Sequence, residues 1–259
     1  GAATLALEEL QTFGAGSPAP VGRRPTDLRV LVCDDGKDST ESIQVASHVV
    51  GTLGLPAVMG PVFSQPAVDV AVGVTIPNNA LMLNPFAVTP NLTGLKDNDL
   101  VWRTSSSNIS EPVGMAALTS QLETYLRDSM VLKPTDQLRV ATIARPDIYG
   151  RGIVDLYNKN LRINGGQLTP GSGQLSGFEL TKTASGYSMS STDLSHLVAF
   201  APHVVVLAGT GEMVPEALEK LESAMLSISP YYIGTEGLRL TDLISYVANR
   251  NNKAVSKRL

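Results

Sequence analysis

Several loops of this chain carry groups that could hold a small molecule, and each loop follows a short apolar run. Phe63 and Ser64 follow Ala57 to Pro61; Phe86, Ala87 and Val88 follow Ala80 to Asn84; Tyr149 follows Leu138 to Ile143. Thr210 comes after His203 to Ala208, and Glu236 after Tyr231 to Ile233. Together they offer hydroxyls, a phenol, a carboxylate and apolar surface, a set suited to gripping a polar solute. Ser64 stands just before Gln65 and Pro66, and proline is favoured in a first helical turn. Its hydroxyl therefore fits two roles, a plain N-cap or a cap that also holds a ligand carboxylate. Tyr149, ahead of Gly150, could close over a ligand or pack within its loop. Glu236, between Thr235 and Gly237, could meet an ammonium group or face water.

Other chemistries fail on spacing. Gly209-Thr210-Gly211 opens like a dinucleotide fingerprint, but Val214 stands where the third glycine belongs. Neither a GxSxG elbow nor a GxxxxGK[ST] loop is present, and no histidine lies in a strand-end loop to serve a serine as base. His48, His196 and His203 lack metal-ligand spacing, and the single cysteine, Cys33, rules out an internal disulfide. Cys33 ends an apolar run and is expected to be buried. Asp34-Asp35 before Gly36 reads as turn chemistry rather than a magnesium pair. No catalysis, no cofactor and no metal are expected.

The groups must be positioned by elements, and short β-branched runs alternating with amphipathic stretches predict parallel βαβ units. Strands are expected at Leu28 to Cys33, Ala57 to Pro61, Ala80 to Asn84, Leu100 to Arg103, Leu138 to Ile143, His203 to Ala208 and Tyr231 to Ile233. Helices are expected at Ala2 to Phe13, Thr40 to Gly51, Pro66 to Ile76, Pro112 to Asp128, Arg151 to Ile163, Asp193 to Phe200, Val214 to Ser227 and Thr241 to Asn249. The near-continuous apolar strands should be covered on both faces. Gly14 to Thr26 reads as a loop, and Gly165 to Ser191 as a long surface connection with one short strand. A fresh βαβ series after Leu132-Lys133-Pro134 divides the chain into two α/β lobes, 1–120 and 121–259, with a hinge crossing near 108–134. Small molecules bind beyond the carboxyl ends of strands in such folds, which is where the groups above lie.

The chain has 259 residues, 20 Lys and Arg against 24 Asp and Glu, and so a net charge of −4. That mild acidity, without basic clusters, gives no field for nucleic acid or anionic lipid. No apolar stretch approaches the roughly 18 residues a membrane span requires, so direct membrane insertion is not expected.

In order and spacing these stretches resemble the type I periplasmic binding proteins of the leucine/isoleucine/valine kind, the solute receptors of ABC importers. Leu28 to Ser64, ending in Gly60-Pro61-Val62-Phe63-Ser64, is similar to the family's strand, acidic turn and helix. LMLNPFAVTPNLT followed by VWRT, the D-x-x-Y-G of Asp147 to Gly150, and Tyr232 to Gly237 carry the rest. The resemblance implies two Rossmann-like lobes that close on a small ligand, such as an amino acid or related carboxylate or amide. It implies that Ser64 and the Ala87 backbone receive a carboxylate, that Tyr149 and Thr210 line the second wall, and that Glu236 holds an ammonium. Val88 and Thr210 depart from leucine receptors, which place a threonine and an aromatic there. An ABC permease is the implied partner, and a periplasmic or extracellular location, with or without a lipid anchor, is the implied setting. The same fold also serves as a ligand-sensing domain in signalling proteins, which is the alternative reading. Full members are longer, so an incomplete copy is expected, lacking a strand before Ala2 and a return to the first lobe.

Overall fold

The computed structural model describes residues 5, 6, 8, 29–36, 38–168, 171–224, 229–239 and 241–259. The first lobe opens with α1 (Ser39–Ala46), continued by a π-helical turn at Ser47–Thr52. Asp38 starts it because its carboxylate accepts the free N–H groups of Thr40 and Glu41. There follow β1 (Ala57–Met59), α2 (Ser64–Val70) with a π turn to Thr75, β2 (Leu81–Asn84) and β3 (Val101–Arg103). The strands pair in parallel in the order β1-β2-β3. The helices bury one face through Ala46, Val50, Val70 and Val74, and through Ala67, Ala71 and Met82.

The other face is open. Met59 is 60% and Trp102 58% exposed, and Leu81 and Phe86 are exposed beside them. Two-sided coverage, expected of every strand, therefore fails in this lobe. The strand expected at Leu28 to Cys33 is absent over its described residues: Arg29–Cys33 is irregular, Val32 is 80% exposed, and Cys33 is exposed rather than buried. Among the described residues β1 pairs only with β2, and an apolar run without a ladder partner gains neither hydrogen bonds nor burial. The expected helix at Ala2 to Phe13 and the loop at Gly14 to Thr26 lie almost wholly outside the described residues.

The second lobe comprises α3 (Ser110–Asp128), β4 (Val140–Ala144), α4 (Ile148–Asn160), the hairpin β5 (Arg162–Ile163) and β6 (Gly166–Gln167), and β7 (Leu175–Glu179). Then come the hairpin β8 (Thr181–Thr183) and β9 (Gly186–Ser188), α5 (Ser191–Phe200), β10 (Val204–Ala208), a π turn at Val214–Leu218 leading into α6 (Glu219–Ala224), and β11 (Tyr231–Gly234). The chain closes with α7 (Thr241–Ala248) and α8 (Lys253–Ser256). Its sheet is parallel in the order β11-β10-β4-β7, and here both faces are covered. Val140, Val204 and Val206 join Met115, Leu126 and Tyr157 on one side; Ala141, Ile143, Val205 and Leu207 join Leu197, Leu218 and Leu221 on the other. The expected boundary at 120 falls inside α3, whose buried residues Met115, Ala116 and Leu126 all pack on this second core.

Two departures from expectation have local causes. Helix α4 begins at Ile148, three residues early, because Asp147 caps the N–H groups of Tyr149 and Gly150 at 3.1 and 2.9 Å. It stops at Asn160, since Asn164-Gly165, both at positive φ, turn the chain back as a tight hairpin. The stretch Gly165 to Ser191 holds β7, an edge strand in register with β4, as well as the β8–β9 hairpin.

Candidate functional site

The carboxyl ends of β4, β10 and β11 converge because the sheet is parallel and each strand hands over to a loop on the same edge. Gly150 allows the closest approach there: a Cβ would come 2.3 Å from the Arg145 carbonyl oxygen and 2.8 Å from that of Ala208. Helix α4 can thus begin directly over the strand ends, which brings Tyr149 inward. Gly237 is constrained likewise, since a Cβ would lie 2.9 Å from the Tyr149 hydroxyl and 3.0 Å from Thr210 Cγ2. Tyr149, Thr210 and the Glu236 loop are therefore neighbours.

Between them lies Arg145, the first residue past β4, with its side chain only 4% exposed. Nε and Nη2 each stand 2.7 Å from Asp147 Oδ2, and Nη1 donates to Thr210 Oγ1 at 3.0 Å. Glu212 Oε1 is 3.7 Å from Nη1, and both carboxylate oxygens of Glu212 accept from Thr210, one from its backbone N–H and one from its hydroxyl. Three rings surround the guanidinium: Phe63 at 5.3 Å, Tyr149 at 5.4 Å and Tyr187 at 5.9 Å from ring centroid to Cζ. Burial works against the cation, yet Asp147 and Glu212 overcome it and raise its pKa above the ordinary arginine value. Burial also pushes the Tyr149 phenol up to about 12, against the pull of its hydrogen bond with the Thr235 side chain, so it stays a neutral hydroxyl. Thr235 Oγ1 donates to the Gly209 carbonyl at 2.7 Å and locks the β10 and β11 loops together.

Phe63 reaches this cluster from the first lobe. Its loop is fastened by the fully buried Asn84, whose Nδ2 donates to the Pro61 carbonyl at 2.7 Å and whose Oδ1 accepts from Phe86 N and, at 2.6 Å, from Ala87 N. Ser64 is buried beside Phe63 but does not cap: Phe63 is the N-cap residue, Ser64 is the first residue of α2, and no side chain caps the helix. The expected capping role is thus corrected, because Phe63, one position earlier, takes the extended backbone conformation that a cap requires. Ala87 gives its N–H to Asn84 and its carbonyl to Ser105, while Val88 packs against the second-lobe core. Phe86 faces outward. The structure thus gathers Phe63, Tyr149 and Thr210 around Arg145, with Ser64 and Glu236 adjoining, and places Phe86 to Val88 in the neighbouring turn.

The passage between lobes is held by Glu111 at the start of α3, which accepts from Glu236 N and from Asn108 Nδ2. Glu236 itself is exposed, and its carboxylate forms no ion pair among the described residues, though its charge acts on the Tyr149 phenol. Arg145 and Glu111 were not foreseen from the sequence, although a lone arginine directly after the run Val-Ala-Thr-Ile-Ala was a visible signal. Among the described residues no group of three acidic, histidine or cysteine side chains could hold a metal ion, and no helix is long and apolar enough to cross a membrane.

Two parallel α/β lobes with a polar cluster at their facing strand ends define the architecture of the type I periplasmic binding proteins. Comparison with solved structures shows that fold. A leucine-binding protein, LivK, from Thermotoga maritima aligns over 92% of this chain and 60% of its own at a TM-score of 0.66 and 18% identity. The branched-chain amino acid binding protein LivJ of Streptococcus pneumoniae, solved with isoleucine, aligns over 93% and 60% at 0.65 and 14%. In sequence the chain is similar to a Leu/Ile/Val-binding protein, BraC3 of Rhizobium johnstonii, at 29% identity over 142 residues, 52% of this chain and 32% of the relative. No family model matches. The chain spans about a third of that curated relative and about three fifths of those structures.

Proposed function

We propose that this chain is the ligand-gripping part of an extracytoplasmic solute receptor, one that captures a small amino-acid-like molecule between its lobes and presents it to an ABC permease. The observation that supports it is that Phe63, from one lobe, faces Arg145, Tyr149 and Thr210 from the other, so a ligand entering between them touches both walls and favours closure. Ser64 and the N–H groups at the start of α2 receive the ligand carboxylate, and the unpaired Glu236 receives its ammonium. Tyr149, kept neutral, offers a hydroxyl beside them. An arginine held charged and a phenol held neutral suit binding and orienting a polar solute.

Thermal denaturation against a panel of amino acids, dicarboxylates and nucleotides tests this reading. One saturable class at 100 times its dissociation constant should add about 2.7 kcal/mol to the stability of the folded protein. A melting midpoint indifferent to every small solute, or a rise with nucleotides alone, would remove the receptor reading.

A further inference from the structure

Arg145 poses a question that closure alone does not answer: a permanent cation sits on the wall against which a ligand's side chain must pack. Its edges are occupied by Asp147 and Thr210, and rings pack around the rest of the guanidinium, Phe63 among them at 5.3 Å. Phe63 is the only one of the three surrounding rings that comes from the first lobe, so opening the cleft frees the part of the guanidinium that Phe63 covers. A branched aliphatic group placed there would cover the guanidinium and the Thr210 hydroxyl without returning any electrostatic interaction. An aromatic ring would return one, because its negative face is attracted to the cation. The charges around the arginine bear on the rest of the ligand. Asp147 and Glu212 already neutralise it, and Glu111 and the unpaired Glu236 add two carboxylates at the edge, so the ligand must bring its own cation.

Resting on the receptor reading above, we propose that Arg145 determines specificity, and that the site takes an amine-bearing solute with an aromatic side chain, such as an aromatic α-amino acid. The ligand's ring occupies the place on the guanidinium now filled by Phe63, while its ammonium faces Glu236. Asp147 and Glu212 act as positioning residues that hold the guanidinium plane.

Calorimetric titration of the wild-type protein with L-phenylalanine, L-tyrosine, L-leucine and L-isoleucine tests the proposal without any variant that could misfold. The aromatic pair should bind about tenfold or more tightly than the aliphatic pair. In R145K, which keeps the charge but removes the planar face, that preference should shrink toward unity. Aliphatic ligands binding as tightly as aromatic ones in the wild type would overturn the proposal and leave the receptor reading standing. An aromatic preference unchanged in a folded R145K would overturn the role of Arg145. Failure of all four to bind would overturn the amino-acid receptor reading and this proposal with it.

Discussion

Asp147 performs two tasks with one carboxylate, and its substitution separates them. Oδ1 accepts the N–H groups of Tyr149 and Gly150 at the start of α4, and Oδ2 takes Nε and Nη2 of Arg145. Asp147→Asn keeps an oxygen for the helix but turns an amide toward a guanidinium whose other carboxylate, Glu212, is 3.7 Å away. With the two side chains only 4% and 12% exposed, stranding the cation should cost about 3 to 5 kcal/mol. Asp147→Ala loses the cap as well and should cost about 1 kcal/mol more. The reverse change is milder: Arg145→Met leaves a carboxylate still bonded by two backbone N–H groups, a loss of about 1 to 3 kcal/mol. Urea denaturation followed by far-ultraviolet circular dichroism on Asp147→Asn, Arg145→Met and the double variant closes a cycle, with an expected coupling of about 2 kcal/mol. A coupling below about 0.5 kcal/mol would show that the pair is not an energetic unit, and the electrostatic account of the site would fall with it.

Four further expectations are independent of that cycle. Glu236→Ala should weaken binding of an amine-bearing ligand by about 2 to 5 kcal/mol if the pair becomes buried on closure, and titration showing unchanged affinity would take Glu236 out of the site. Ser64→Ala should leave stability within about 0.5 kcal/mol, since Ser64 caps nothing, while lowering affinity; a stability loss without an affinity loss would contradict the geometry. His203 has its pKa lowered by burial and by Arg139, so the unfolded chain takes up the proton first as pH falls below about 6.5, and stability present above that pH is lost below it. His203→Gln should flatten that part of the profile between pH 7.5 and 5.5, and an unaltered profile in denaturation experiments would refute it. Trp102, the single tryptophan, lies on the open face of the first sheet, so the fluorescence of this 259-residue chain should be quenched readily by iodide; strong protection would mean that the face is covered.

The second lobe was legible in the sequence because its strands are apolar on both sides. Val204-Val205-Val206-Leu207 and Val140 to Ile143 can lie only between two layers, and both prove wholly enclosed near the middle of their sheet. The short strand expected in Gly165 to Ser191 had no assigned place; β7 there reads Leu-Ser-Gly-Phe-Glu, and its pairing with β4 makes it part of the main sheet. An edge strand needs fewer apolar residues than a central one, so periodicity underweights it. In the first lobe the same rule misled in the opposite direction. Arg29 to Cys33 has the composition of a buried strand, but composition states what a segment would do with a partner and cannot supply one.

The candidate site divides in the same way. Loops at strand ends were found from topology alone, and Phe63, Tyr149, Thr210 and Glu236 do gather at one edge. What stayed hidden was the charge at their centre. Arg145 looks in sequence like the polar stop at the end of an apolar run, and only its long reach back between Asp147, Thr210 and three rings from separate segments makes it the pivot. Those partners lie as far as about the whole width of the second lobe apart in sequence, so no local window contains them. A buried arginine costs several kcal/mol to desolvate and is retained only where its partners compensate. Both carboxylates that compensate it, together with the threonine that bonds it, sit in strand-end loops rather than in the core. The same loops must also form the wall of the cleft. The residues that stabilise the charge are thus the residues that fix its orientation toward the opposite lobe, and changing any one of them should alter stability and ligand choice together.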